Sequence, residues 1–299
     1  MNFRTLQPGD LIGVLAPASP VAADKLPAVQ ALYARWGFQV RFFPSCHANT
    51  GYLAGSDALR LTDLHAALAD SQVAAIHCLR GGYGSMRLLD AIDTTLLRRH
   101  PKLLIGYSDI TALHALWALH GLPSLHAPMP ASDLIQAGRE DDEAALLSVL
   151  RHGLKAGQVL APALADGALR VGGTAQGRLI GGNLSLVAAL LGTPWAWNAR
   201  GAILFLEDIN EELFRVDRLL TQLRLAGVLD AVAGVVLGSF TEATYPAALL
   251  QQMLGGLNKP VLAGWPTGHG TPNQPLPMGA RVALDATAGT LTLLETVLA

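Results

Sequence analysis

Lys102-Leu103-Leu104-Ile105-Gly106-Tyr107-Ser108-Asp109-Ile110-Thr111 is an apolar run that ends in Gly-Tyr-Ser-Asp and passes directly into a helical pattern. A buried strand, a sharp turn and a helix in that order form a nucleophile elbow. There a serine stands at the strand's carboxyl end and the next backbone N–H faces the place where an oxyanion forms. The usual G-x-S-x-G has a second glycine where this chain has Ile110. The same residues have a second reading, in which Ser108 is the N-cap of the following helix and accepts a bond from a first-turn N–H.

Outward from this turn, short β-type runs alternate with helix-length segments, which predicts a parallel sheet with crossover helices and an α/β fold. Strands are expected at 11–16, 39–43, 73–79 and 103–107, and helices at 22–36, 58–69 and 110–119. The pattern loosens after residue 136 into a charged helix and then a stretch from Ala156-Gly157-Gln158 through Asp166-Gly167 to Gly172-Gly173. This divides the chain into an N-terminal α/β domain (1–150) carrying the serine, a linker (151–173) and a C-terminal domain (174–299). The last is expected to hold strands at 175–180, 202–206, 232–237, 260–263, 281–284 and 291–294, with helices at 184–191, 211–225 and 246–254.

The 299 residues are 51% hydrophobic, enough for a sizeable core, and carry a net charge of −2 with scattered basic residues. That distribution gives no footprint for nucleic acid or an anionic membrane, so a small or neutral ligand is expected. No apolar run is long enough to span a bilayer, and the first residues lack a secretory h-region, so a cytoplasmic location is expected. Cys46 and Cys78 then read as reduced core thiols. Their neighbours His47 and His77 lack zinc-ligand spacing, and no metal or organic cofactor is expected. His114, His120 and His126 recur every six residues, a period that fits neither one helical face nor a zinc helix.

Glycine turns follow several of the strands, and in open α/β sheets ligands sit at strand carboxyl ends. Arg80-Gly81-Gly82-Tyr83-Gly84-Ser85 lacks the Walker lysine and the G-x-G-x-x-G spacing, so it is a poor phosphate loop. Its Gly82 N–H beside that of Asp109 would suffice for an oxyanion hole, although a tight turn opening a helix accounts for the same residues. Glu207-Asp208 follows an apolar strand, with Glu207 nearer the strand's end and Asp208 its possible substitute in orienting a histidine. Glu211 and Glu212 read as first-turn helix acids. His269 lies between Gly268 and Gly270 in the loop 264–273, and its ordinary pKa of about 6.5 suits a group that takes and returns a proton near neutrality. Ser108, Glu207 and His269 thus each stand at a strand-to-loop junction.

With these residues assembled, the chain resembles the LD-carboxypeptidase family of serine peptidases. The likeness rests on Pro8-Gly9-Asp10-Leu11-Ile12-Gly13-Val14-Leu15-Ala16-Pro17-Ala18-Ser19-Pro20, Arg80–Ser85, Gly106–Asp109, Gly181-Gly182-Asn183-Leu184, Leu206-Glu207-Asp208 and Gly268-His269. The resemblance implies an N-terminal domain related to class I glutamine amidotransferases, a smaller C-terminal α/β domain, a site between them, and a homodimer. It places the nucleophile at Ser108, the acid at Glu207, the base at His269 and the oxyanion N–H groups at Gly82 and Asp109.

The implied reaction is acyl transfer that frees terminal D-alanine from a murein tetrapeptide in peptidoglycan recycling. Arg80, Asn183, Arg215 and Arg218 are candidates to bind the substrate's carboxylates. Two other readings stand beside this one. A microcin C immunity-type peptidase would use the same triad on a peptidyl nucleotide and needs an aromatic platform, for which Trp195 and Trp197 are available. A non-catalytic amidotransferase-like binding module would make Ser108 dispensable.

Overall fold

The structure is a computed structural model, described here over residues 2–164 and 168–299. The first sheet is built from β1 (Leu11–Leu15), β2 (Gln39–Phe42), β3 (Val73–Cys78), β4 (Leu103–Gly106) and β5 (Ser124–His126), all parallel. The second contains β6 (Val159–Leu160), β7 (Arg170–Val171), β8 (Thr174–Asn183), β9 (Ile203–Ile209), β10 (Gly234–Thr241) and β11 (Val261–Leu262). After these come β12 (Leu276–Met278), β13 (Arg281–Asp285) and β14 (Thr290–Leu293). The strand orders are β12-β5-β4-β3-β1-β2 and β6-β14-β13-β8-β9-β10-β11-β7. In the second sheet β8 through β11 run parallel and carry antiparallel flanks.

The central parallel strands are apolar along most of their length because helices cover both faces, whereas the edge strand β2 alternates exposed and half-buried residues. β4 is buried at every position, and β9 at every position but its last. The helix Leu26–Arg35 turns Leu26, Val29, Leu32 and Tyr33 inward. The helix Asp57–Ala69 opens on Ser56, whose side chain accepts the Leu59 N–H, the expected N-cap geometry.

Four short strands, β5, β6, β7 and β12, lie outside the sequence expectation. β5 has only three residues, two of them polar, so no period is readable. β12 contains Pro277, which cannot donate to a ladder and suits an edge strand, and it pairs antiparallel with β5 at the first sheet's rim. The C-terminal third of the chain therefore completes the N-terminal sheet. The stretch 151–173, read as a linker, is drawn into the second sheet: β6 pairs with β14 and β7 with β11. Pairs of two residues each leave no hydrophobic pattern in the sequence. Asp166-Gly167 of that stretch lies outside the described residues.

The two sheets meet where the helix Thr111–Leu119 packs on the carboxyl end of β8. Thr111 Oγ1 accepts the Asn183 N–H at 3.0 Å, and a Cβ on Gly182 would lie 2.5 Å from that same oxygen. The helix that follows the elbow is thus seated directly on the second sheet, with no room for a side chain between them.

Candidate active site

Ser108 follows β4 with φ +63°, a left-handed conformation that non-glycine residues adopt at a cost and chiefly at functional turns. The turn lifts the serine out of the sheet. Its hydroxyl lies 3.1 Å from His269 Nε2, and the helix Thr111–Leu119 has no side-chain cap, so Ser108 is not a capping residue. Ile110, in place of the second glycine, is buried, and its side chain packs over Gly106, where a Cβ would meet it at 3.1 Å. The missing glycine is on the elbow's inner face, where an apolar side chain fits.

Glu207 is on β9 and fully buried, and its Oε2 accepts both His269 Nδ1–H at 2.6 Å and the His269 backbone N–H at 3.2 Å. With Nδ1 donating, Nε2 is the acceptor for the Ser108 hydroxyl, which sets the tautomer. Burial pulls the His269 pKa down, but the charge and hydrogen bond of Glu207, joined by Asp208 and Asp133, outweigh it, and the net shift is upward. The imidazole face rests on Tyr107 with centroids 4.8 Å apart, and Tyr107 is fixed by its hydroxyl donating to Asp133 Oδ1 at 2.8 Å.

The loop that carries His269 is held by its own Asn273, by Arg139 and Asp142, and by Ser239 of β10. Gly268 donates its N–H to Asn273 Oδ1, and Asn273 donates its own N–H to Asp142 Oδ1 on the helix Glu140–His152. Arg139 pairs with Asp142 and also donates to the Gly270 carbonyl at 2.9 Å. From β10, Ser239 Oγ accepts the Gly270 N–H. Gly268 has φ +115°, and a Cβ there would stand 2.6 Å from Glu207 Oε2, so the glycine is required for the approach.

Gly81 abuts the serine: a Cβ on it would lie 2.9 Å from Ser108 Cβ and 3.3 Å from the Asp109 nitrogen. Among the described residues neither the Gly82 nor the Asp109 N–H has a backbone acceptor. Asp109 is anchored by its other groups. Its Oδ2 accepts the Ser85 N–H at 2.8 Å and its carbonyl accepts the Ser85 hydroxyl at 2.5 Å. Arg60, fully buried, donates to the Gly84 carbonyl at 2.9 Å and to the Pro17 carbonyl, bracing the glycine loop from below.

The structure therefore brings together Ser108, Glu207, His269, Gly81 and Asp109. Asp208, considered as a substitute for Glu207, points the other way, as adjacent strand residues must. It accepts from Asn183 Nδ2, from the Ser185 N–H and hydroxyl, and from the Ile209 N–H. Asn183, expected to meet a substrate carboxylate, is a helix cap: its Oδ1 accepts the Leu186 N–H while Nδ2 is held by Asp208. Arg215 and Arg218 are exposed on the helix Leu213–Leu225, lie over Phe214, and make no bond to the Ser108–His269–Glu207 chain. Arg80 is half-buried beside Gly81, with Nη1 donating to the Pro20 carbonyl and a buried Nε that has no partner among the described residues.

Trp195 is tied by Nε1 to Asp90, and Trp197 packs against the cores of both sheets. Gly81, Arg60, Tyr107, Asp133, Asp142 and Asn273 have supporting roles that sequence reading did not assign. Their signal is three-dimensional adjacency, and only the glycine doublet was visible as a motif. Among the described residues, no group of three or more His, Cys, Asp or Glu gathers as a metal site, and no helix is long and apolar enough to cross a membrane.

Comparison with known proteins bears on the family to which the chain belongs. A family model described as the LD-carboxypeptidase N-terminal domain matches residues 12–127, and that of the LD-carboxypeptidase C-terminal domain matches residues 176–284. A murein tetrapeptide carboxypeptidase of Pseudomonas aeruginosa is 35% identical over 94% of this chain and 95% of its own length. The crystal structure of a muramoyltetrapeptide carboxypeptidase from Oxalobacter formigenes superposes with a TM-score of 0.81 at 29% identity, covering 95% of this chain and 97% of that one. The microcin C7 self-immunity protein shares the fold, with a TM-score of 0.91 at 24% identity over the whole of both chains. Two domain models in the expected order, and a relative aligned nearly end to end, lead to one conclusion: the chain belongs to the LD-carboxypeptidase family.

Proposed function

We propose that this protein is a serine carboxypeptidase that releases the terminal D-alanine of murein tetrapeptides, with Ser108 as nucleophile, His269 as base and Glu207 as its orienting acid. The observation that carries this reading is the chain of contacts from Ser108 Oγ to His269 Nε2 at 3.1 Å and from Nδ1 to Glu207 at 2.6 Å. The names of the aligned relatives support the substrate class.

His269 takes the Ser108 proton as Oγ attacks the carbonyl that joins the L-centre to D-alanine. Glu207 holds the imidazole and stabilises its cation. The tetrahedral oxyanion is met by the N–H groups of Gly82 and Asp109. His269 then protonates the leaving amine, D-alanine departs, and water attacks the acyl-Ser108 ester with the same histidine as base. Arg80, with its unpartnered Nε beside Gly81, is the best placed of the candidate carboxylate partners. A cytoplasmic setting is consistent with two buried free thiols, Cys46 and Cys78.

The test is D-alanine release from L-Ala-γ-D-Glu-meso-diaminopimelyl-D-Ala, followed by mass spectrometry for wild type and Ser108→Ala. Release by wild type alone is expected. Equal release by both proteins removes Ser108 as nucleophile, and no release by folded wild type removes the substrate.

A further inference from the structure

Two large aromatic side chains stand in solvent beside the oxyanion loop. Tyr52 is 61% exposed and Tyr83 is 52% exposed, and their rings lie 5.8 Å apart at an interplanar angle of 55°. Single exposed aromatics are ordinary, but a contiguous pair at a site is a candidate contact surface. Tyr83 follows Gly82 directly, so its Cα is about 3.8 Å from that of a proposed oxyanion donor.

One side chain ties the pair together. Ser19 Oγ accepts the Tyr83 N–H at 3.1 Å and donates to the Tyr52 carbonyl at 2.9 Å, while the Ser19 N–H donates to the Gly81 carbonyl at 3.2 Å. A Cβ on Gly82 would lie 2.3 Å from Ser19 Oγ. The two tyrosine backbones and the loop facing Ser108 therefore form a single hydrogen-bonded unit around one hydroxyl.

We propose that Tyr52 and Tyr83 form a sugar subsite that takes a pyranose ring of the substrate and is coupled through Ser19 to the oxyanion loop. This rests on the murein-peptide reading. The leaving group of a carboxypeptidase is a single residue, so a platform extending outward from the loop serves the acyl side. Three residues separate the scissile carbonyl from the sugar-bearing end, about 10 Å when extended. The peptide itself offers charged carboxylates and an amine, whereas a pyranose offers a face of C–H groups ringed by hydroxyls, which suits an aromatic face with a phenolic edge.

The experiment compares kcat/KM for D-alanine release from the free tetrapeptide and from the same peptide carrying N-acetylglucosaminyl-anhydro-N-acetylmuramic acid. Wild type should prefer the sugar-bearing form, and Tyr52→Ala should reduce that preference about fivefold, with Tyr52→Phe restoring it. A preference unchanged in Tyr52→Ala overturns the subsite. A ratio of substrates cancels any general loss of folded enzyme. Should Tyr52→Ala fail to fold, competition in wild type decides: the peptide-free disaccharide inhibits free-tetrapeptide hydrolysis if the subsite exists. Absence of inhibition, or inhibition by adenosine monophosphate in its place, refutes it. Failure of wild type to release D-alanine from either substrate would instead refute the underlying function, and the two failures are distinguishable.

Discussion

Gly268→Ala tests the site's geometry directly. A Cβ on Gly268 would sit 2.6 Å from Glu207 Oε2 and 2.8 Å from Glu207 Cβ and Cγ. Ordinary contact begins near ~3.5 Å, so the loop or the carboxylate must yield by about 0.9 Å. Glu207 Cβ is close to its backbone in a buried strand, so the loop carrying His269 gives way. A misplacement of about 1 Å in a catalytic group costs about 10²-fold in rate. The φ of +115° at Gly268 adds roughly 1–3 kcal/mol of backbone strain. Gly201→Ala separates the two effects, because Gly201 has φ +66° and nothing within 4 Å of its would-be Cβ. Both variants should lose about 2 °C of melting temperature per kcal/mol of strain. Only Gly268→Ala should lose about 10²-fold in kcat/KM for D-alanine release. A Gly268→Ala enzyme with kcat/KM within threefold of wild type would refute the claim that this approach sets the Glu207–His269 contact.

Further outcomes follow from the same structure. Ser108→Ala and His269→Ala should each cut turnover by orders of magnitude, and the double variant should be scarcely worse than either alone, since triad members act as a unit; additive losses in steady-state kinetics would argue against that unit. The base must be neutral, so kcat/KM should rise with pH through the His269 pKa, which lies above its ordinary value. Glu207→Gln removes the carboxylate charge that opposes burial, and should shift that midpoint to lower pH while lowering the plateau; an unmoved midpoint would contradict the assignment. By linkage, a histidine with a raised folded pKa stabilises the fold below its unfolded pKa, and that contribution fades as pH climbs through the folded value. Thermal melts of Ser108→Ala and of Ser108→Ala/His269→Ala should therefore differ more at low pH than at high pH. Asn273→Ala leaves the buried Gly268 N–H without its acceptor, a loss of about 1–3 kcal/mol that differential scanning calorimetry would register as a lower melting temperature.

The alternation of apolar strands with helix-length segments, and the glycine-rich turns that close them, were legible in the sequence because parallel strands and their turns obey local rules. Leu103–Gly106 and residues 202–206 are continuous apolar runs, Val73–Cys78 is interrupted only by His77, and Gly-Tyr-Ser-Asp, Leu-Glu-Asp and Gly-His each stand at a junction where chemistry can face solvent. Ser108, Glu207 and His269 were therefore nameable before their contacts were known. Local rules fail where a residue's role depends on a neighbour distant in the chain. Pro277 completes a sheet begun at residue 11, and Val159–Leu160 and Arg170–Val171 join the second sheet through two-residue pairings.

The same limit divides the site. Glu207 and Asp208 are consecutive acids that the sequence could rank only by their distance from the strand's end. The pleat sends the first to His269 and the second to the Asn183 cap. Asn183 and Arg80 both follow glycine-bordered strands or precede glycine turns, yet only the structure shows that one amide is spent inside the fold while the other residue keeps an unpartnered nitrogen. Residue types and their order on the chain determined which chemistry this protein carries. Which of those groups meet was decided by packing two sheets against one another, because hydrogen bonds across 62 and 161 residues leave no trace in local pattern.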